Sequence, residues 1–144
     1  MPDILHDFPI DAPPDEVFDA VSTAEGLDEW WTLSSCGTAR EGEIFELDFG
    51  PGYRWRARVS HCRPSESFEL EMVEALPDWM GTRVRFELEA AVGGGTQLRF
   101  AHVGWREASE HFRISSFCWA MYLRIMRRNI EQGETVAYER RLEV

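Results

Sequence analysis

The chain is short of positive charge and of cysteine, and it has no long apolar run. Fifteen basic residues stand against 26 acidic ones, a formal net charge of −11. A nucleic-acid partner would need a basic footprint, and an anionic membrane would repel this surface, so neither is expected. No apolar stretch approaches the length that spans a bilayer, and membrane insertion is not expected. The acidic, proline-bearing start does not read as a signal peptide. The three cysteines, Cys36, Cys62 and Cys118, are an odd, scattered set without metal-ligand spacing. They read as buried free thiols in a reducing cytosol, which makes the expected location cytoplasmic. Linkers rich in proline, glycine or serine, internal repeats and low-complexity tracts are missing too. The 144 residues therefore read as one domain, with a core over about residues 4–133 and a tail over 134–144.

Signatures of catalysis are missing as well. The cysteines have no evident activating partner, and no Gly-x-Ser-x-Gly elbow occurs. Gly93-Gly94-Gly95 precedes a strand pattern and lacks a following Gly-Lys-Ser/Thr, so it is a hairpin turn and not a phosphate loop. No two histidines form a ligand-spaced pair and no carboxylate is placed beside them, so no metal and no other cofactor is expected.

What is present is alternation. After the triple glycine, Leu98, Phe100 and His102 fall on one face of a strand, and Arg99, Ala101 and Val103 on the other. Ile4 to Ile10 places Ile4, His6, Phe8 and Ile10 together, with Pro9 confining that strand to an edge or bulge. Pro13-Pro14-Asp15-Glu16 starts a helix, and Thr23 can cap a second, short one ending near Trp30-Trp31. Strands are predicted over Ile44–Phe49, Tyr53–His61, Phe68–Val73 and Arg83–Ala91, with a further short one near Cys36–Ala39. Arg54, Arg56 and Arg58 share one face of their strand and expect acidic neighbours such as Glu69, Glu71, Glu87 and Glu89. Short turns between consecutive strands imply an antiparallel meander.

A long helix is predicted from about Ser109 to Gln132, stopped by Gly133. Arg124, Arg127, Arg128 and Glu131 cluster on one side of its wheel. Cys118, Trp119, Tyr122, Leu123, Ile125, Met126 and Ile130 spread over the rest, an arc wider than a surface helix needs. The surplus near Phe117, Met121 and Ile125 implies a cover, either the tail or a second copy in a homodimer. Asn129 falls within the arc, where a buried amide needs a partner. The predicted fold class is α+β: a curved antiparallel sheet of about six or seven strands wrapped around a long C-terminal helix, with two short helices after the first strand.

Four segments carry a resemblance: Ile10 to Val21, Gly26 to Thr32, Gly95 to Trp105, and Trp119 to Leu123 with Glu131-Gln132-Gly133. Their order resembles the START-like, birch-pollen-allergen-like superfamily with its helix-grip fold, and within it the family of heat-shock chaperone ATPase activator homologues. The resemblance spans roughly residues 4 to 133. It implies the fold and carries no catalytic signature, because function resides in the site and not in the fold.

A helix-grip cavity between sheet and helix would here be lined by aromatic and apolar groups. The candidate ligand-binding residues are Trp30, Phe45, Trp55, Met72, Trp79, Phe86, Phe100, His102, Trp119, Tyr122 and Met126. The first reading is a small cytosolic protein that binds an apolar or aromatic small molecule. His102 reads as a buried ring hydrogen-bonded to a backbone carbonyl or an aromatic hydroxyl, or else as the group that orients the ligand's polar end. An alternative is an enzyme of the cyclase or hydrolase kind, with His102 and Tyr53 or Tyr122 moving protons. Another is an interaction module for a chaperone or other client protein. An enclosed cavity with His102 exposed inside it would favour the first two, and a filled core with an exposed apolar patch the third.

Overall fold

Seven strands follow from the alternation. In the computed structural model, which describes residues 1–144, they are β1 (Ile4–Ile10), β2 (Ser34–Cys36), β3 (Ile44–Asp48), β4 (Arg54–Arg63), β5 (Ser67–Glu74), β6 (Arg83–Ala90) and β7 (Thr96–Val103). They build one sheet in the order β1-β7-β6-β5-β4-β3-β2, antiparallel at every junction. Between β1 and β2 the chain makes α1 (Pro14–Ser22) and α2 (Ala24–Asp28), and after β7 it makes the long helix α3 (Glu110–Gln132). This is the helix-grip α+β architecture.

Parity sorts the two faces of the sheet. Phe45, Leu47, Ala57, Val59, Phe68, Leu70, Met72, Val84, Phe86, Leu88, Leu98 and Phe100 are all buried on the side that α3 covers. Two register shifts between β4 and β5, at Arg56/Ala57 and Val59/His61, accompany the curvature expected of bulged strands. The outer face is laced with ion pairs: Arg56 to Glu46 at 3.1 Å, Arg58 to Glu71 at 3.4 Å and Arg85 to Glu69 at 2.6 Å. The exposed Arg56 and Arg58 pairs are individually worth little, whereas Glu69 is a nearly buried carboxylate held by Arg85 and Ser60.

The ends of α3 lie where the sequence puts them. Ser109 Oγ accepts from the Phe112 N–H, and Gly133, at φ 68°, turns the chain out of the helix. Thr23 accepts from the Gly26 N–H to start α2. A side chain at Gly26 would run into the Asp19 carbonyl and Ala20, so glycine allows α1 and α2 to touch.

Several expectations are corrected. The short strand is Ser34–Cys36 and not Cys36–Ala39, because at Gly37 the backbone crosses directly over the Phe45 ring. The cysteines are free but not buried: Cys36 is exposed on the edge strand beside Glu46, and Cys62 and Cys118 are half-buried. Met121 and Ile125 are covered within the chain, leaving Phe117 as the exposed member of that trio at 78%.

The tail folds back. A 3-10 turn at Tyr138–Glu143 inserts Arg141, only 4% exposed, whose guanidinium donates to the carbonyls of Asp28 (2.7 Å), Thr32 (3.1 Å) and Val136 (3.2 Å). It thereby satisfies carbonyls left open at the end of α2. No helix is long and apolar enough to cross a membrane.

Candidate functional site

The centre of the grip is filled. Phe86, Phe100 and Trp119 meet ring to ring, with centroids 5.5 Å apart for the first pair and 4.6 Å for the second. The open space lies at one end of α3. It is a cleft of about 340 Å³, open to solvent, with thirteen lining residues of which eleven are hydrophobic.

One wall is a stripe of α3: His111, Ile114, Ser115, Cys118, Trp119 and Tyr122. Their spacing is that of a single helix face. The opposite wall comes from the β3–β4 hairpin, through Phe49, Tyr53 and Trp55, and from the loop after β5, through Leu76 and Trp79. Trp31, just beyond α2, and Tyr138 of the tail complete it.

Five of these rings close a cycle. Centroid separations are 5.4 Å for Trp31–Phe49, 5.0 Å for Phe49–Trp55, 5.0 Å for Trp55–Trp79, 5.9 Å for Trp79–Trp119 and 5.1 Å for Trp119–Trp31. Elements far apart in sequence thus supply a continuous aromatic wall of tilted, edge-to-face and, for Trp79–Trp119, stacked contacts.

Behind this wall runs a buried polar chain. Trp119 Nε1 donates to His102 Nδ1 at 3.0 Å, so Nδ1 is the acceptor and the proton sits on Nε2. Nε2 donates to Thr82 Oγ1 at 2.8 Å, and Thr82 donates to the Trp79 carbonyl at 2.6 Å. Trp79 Nε1 in turn donates to Ser115 Oγ at 3.3 Å. The chain ties two wall tryptophans to the sheet and to α3. Burial, with nearby His111 adding to it, pushes His102 down to about 3, so the ring is neutral at physiological pH.

The polar groups facing the cleft are different ones. Burial, then the neighbouring Tyr138 and Cys118, push Tyr122 up to about 12, and its hydroxyl makes no hydrogen bond within the protein. Burial also raises Tyr138, whose hydroxyl donates to the Phe49 carbonyl at 2.9 Å and pins the tail to the hairpin. His111 Nδ1 lies 3.3 Å from Asp78 Oδ2 at the other end. No group of three or more His, Cys, Asp or Glu residues comes together that could hold a metal ion.

Of the residues singled out from the sequence, Trp55, Trp79, Trp119 and Tyr122 line the cleft. Trp30, Phe45, Met72, Phe86, Phe100, His102 and Met126 are buried in the packed core, outside the cleft. His102 is the buried, hydrogen-bonded ring: it has no exposed surface, and its partners are the Trp119 indole and the Thr82 hydroxyl in place of a backbone carbonyl or an aromatic hydroxyl. Sequence reasoning passed over Trp31, Phe49, Leu76, His111, Ile114, Ser115, Cys118 and Tyr138 as wall residues, and Thr82 as the histidine's partner. The helical spacing from His111 to Tyr122 was a usable signal. Nothing local connects Tyr138 or Thr82 to the cleft.

The profile of the family described as "Activator of Hsp90 ATPase homolog 1-like protein" matches residues 11–131. The chain belongs to this family. Its fold and this membership place the AHSA1-like chain in the START-like superfamily. Among solved structures, the Aha1 dimer from Colwellia psychrerythraea superimposes with a TM-score of 0.83 at 28% identity, over 93% of this chain and 99% of that one. A Bacillus halodurans protein gives a TM-score of 0.75 at 24% identity, over 92% and 98% of the two chains. CalU16 from Micromonospora echinospora gives 0.73 at 23% identity, over 98% and 81%. At such identities the last two show the fold alone. Comparison with curated proteins gave no match. The tail that supplies Tyr138 and Arg141 to this AHSA1-like chain lies outside the matched residues.

Proposed function

We propose that the protein binds an apolar or aromatic small molecule in the cleft between α3, the β3–β4 hairpin and the tail. The observation that carries this reading is the cycle of five aromatic rings around a solvent-connected space of about 340 Å³. Cavities of this size with few polar groups suit small organic ligands. The unpartnered Tyr122 hydroxyl supplies a donor that can orient a ligand's polar end, the role first assigned to His102.

Titration with 1-anilinonaphthalene-8-sulfonate, read by dye emission and tryptophan quenching, tests the site. Cys118→Phe fills the cleft from its half-buried α3 wall. The wild type should bind the dye saturably and the variant should not, with unchanged circular dichroism. Equal binding by both places the dye elsewhere and removes the cleft as the site. Native mass spectrometry of protein isolated from its own host would identify a retained ligand by mass.

A second copy is the proposed partner, on the exposed strip of α3 that carries Ile114 (52% exposed) and Phe117. The related 28%-identical structure is itself a dimer. Analytical ultracentrifugation at micromolar concentration should show twice the 16.7 kDa chain mass, and Phe117→Glu should return the monomer. A wild-type monomer at that concentration rejects the dimer.

A further inference from the structure

A second, smaller groove lies on the opposite flank, between edge strand β1 and α3. It has a volume of about 180 Å³ and is lined by His6, Asp7, Phe8, Ala120, Leu123, Arg124 and Arg127. His6 Nε2 is one of two buried side-chain nitrogen or oxygen atoms in the molecule without a hydrogen-bond partner. A buried polar atom without a partner needs a reason. The His6 ring stacks on Phe100, with centroids 6.2 Å apart, and forms part of the groove lining while its Nε2 is closed off from solvent.

Arg124 and Arg127 are one helical turn apart on α3, on the same face. Neither takes part in any ion pair of this acidic protein. Their neighbours are already engaged. Asp7 lies 3.9 Å from Arg99, and Glu131, one turn beyond Arg127, accepts from the Asp11 N–H at 2.7 Å. The Arg127 guanidinium is held over the Phe8 ring, 5.8 Å from its centroid, which limits its freedom before any ligand arrives. Two guanidinium forks without an ion-pair partner, lining a groove too small for the ligand of the aromatic cleft, are a donor set for tetrahedral oxygen.

We propose that this groove binds a small soluble oxyanion, inorganic phosphate or a phosphate monoester, between Arg124 and Arg127, against the His6 ring. An anionic lipid surface is disfavoured by the net charge of −11, which the two arginines do not offset at long range. The site stands apart from the aromatic cleft and does not depend on it.

Titration with inorganic phosphate tests it, against chloride at constant ionic strength and pH. NMR of the histidine rings and arginine side chains is the readout. Saturable shifts are expected at His6, Arg124 and Arg127, with His102 and His111 unmoved. Arg124→Gln combined with Arg127→Gln should weaken phosphate binding by about tenfold or more, the weight of a charge-assisted hydrogen bond or more. Arg124 is exposed and Arg127 half-buried, so the double variant should keep its fold, checked by its unchanged amide spectrum. Absence of saturable shifts in the wild type overturns the proposal. So do shifts of equal size and midpoint in the double variant, which would mark non-specific charge screening.

Discussion

His102 holds its proton on Nε2 and takes a tryptophan N–H on Nδ1, and this has a consequence in pH. In the unfolded chain the ring takes a proton near its ordinary 6.5, whereas in the folded protein it stays neutral down to about 3. Between those values the unfolded state binds the extra proton. The stability contributed by His102 is therefore complete above about pH 6.5 and is lost as pH falls toward 3. Urea unfolding should show a loss of about 1 kcal/mol between pH 6.5 and 5.5 from this group. His102→Phe should flatten the slope by that amount while lowering stability at pH 7.5 by roughly 2–4 kcal/mol, since Trp119 Nε1 and Thr82 lose their partner. Parallel pH profiles for the two proteins would show that the ring is solvated. Parity placed His102 on the inner face from the sequence. That it stops behind the cleft wall was not legible, because Thr82 and Trp119 meet it only across the sheet and from α3.

At the scale of the element, α3 serves three surfaces at once. Trp119, Ile125 and Met126 go into the core, the stripe from His111 to Tyr122 walls the cleft, and Arg124 with Arg127 faces the groove beside β1. This division accounts for an apolar arc wider than one sheet face requires. Trp119 is the point where the core and the cleft meet, touching Trp30, Trp31, Trp79, Phe100 and Tyr122. Trp119→Ala should cost about 3–5 kcal/mol in chemical denaturation, because the ring is only 1% exposed and its neighbours cannot all close in. A loss under about 1 kcal/mol would mean that the surrounding rings collapse into the space. The ends of α3 were legible, from about Ser109 to the Gly133 cap, because the signals that start and stop a helix act locally. The arc was legible as an excess, though not its partition among three surfaces.

At the scale of the whole molecule, the tail joins elements that share no strand pairing. Arg141 holds the end of α2, Tyr138 holds the β3–β4 hairpin, and Val136 packs against the core. Removing residues 134–144 leaves the carbonyls of Asp28 and Thr32 without their donor and takes Tyr138 out of the cleft wall. The truncated protein should melt several degrees lower, as expected for a loss of one to a few kcal/mol in a chain of this size, and should bind the anilinonaphthalene dye more weakly. An unchanged melting point would show that the tail only rests on the surface. The sequence by itself determined every strand but the short β2, the antiparallel order, the inner and outer faces and the ends of the long helix, because alternation, caps and turn residues act over a few positions. Tertiary structure alone decided where the grip is full and where it is open. The wall of the cleft is assembled from Trp31, Phe49, Trp55, Trp79, Trp119 and Tyr138, and whether a ring fills the core or lines a space depends on which distant rings reach it first.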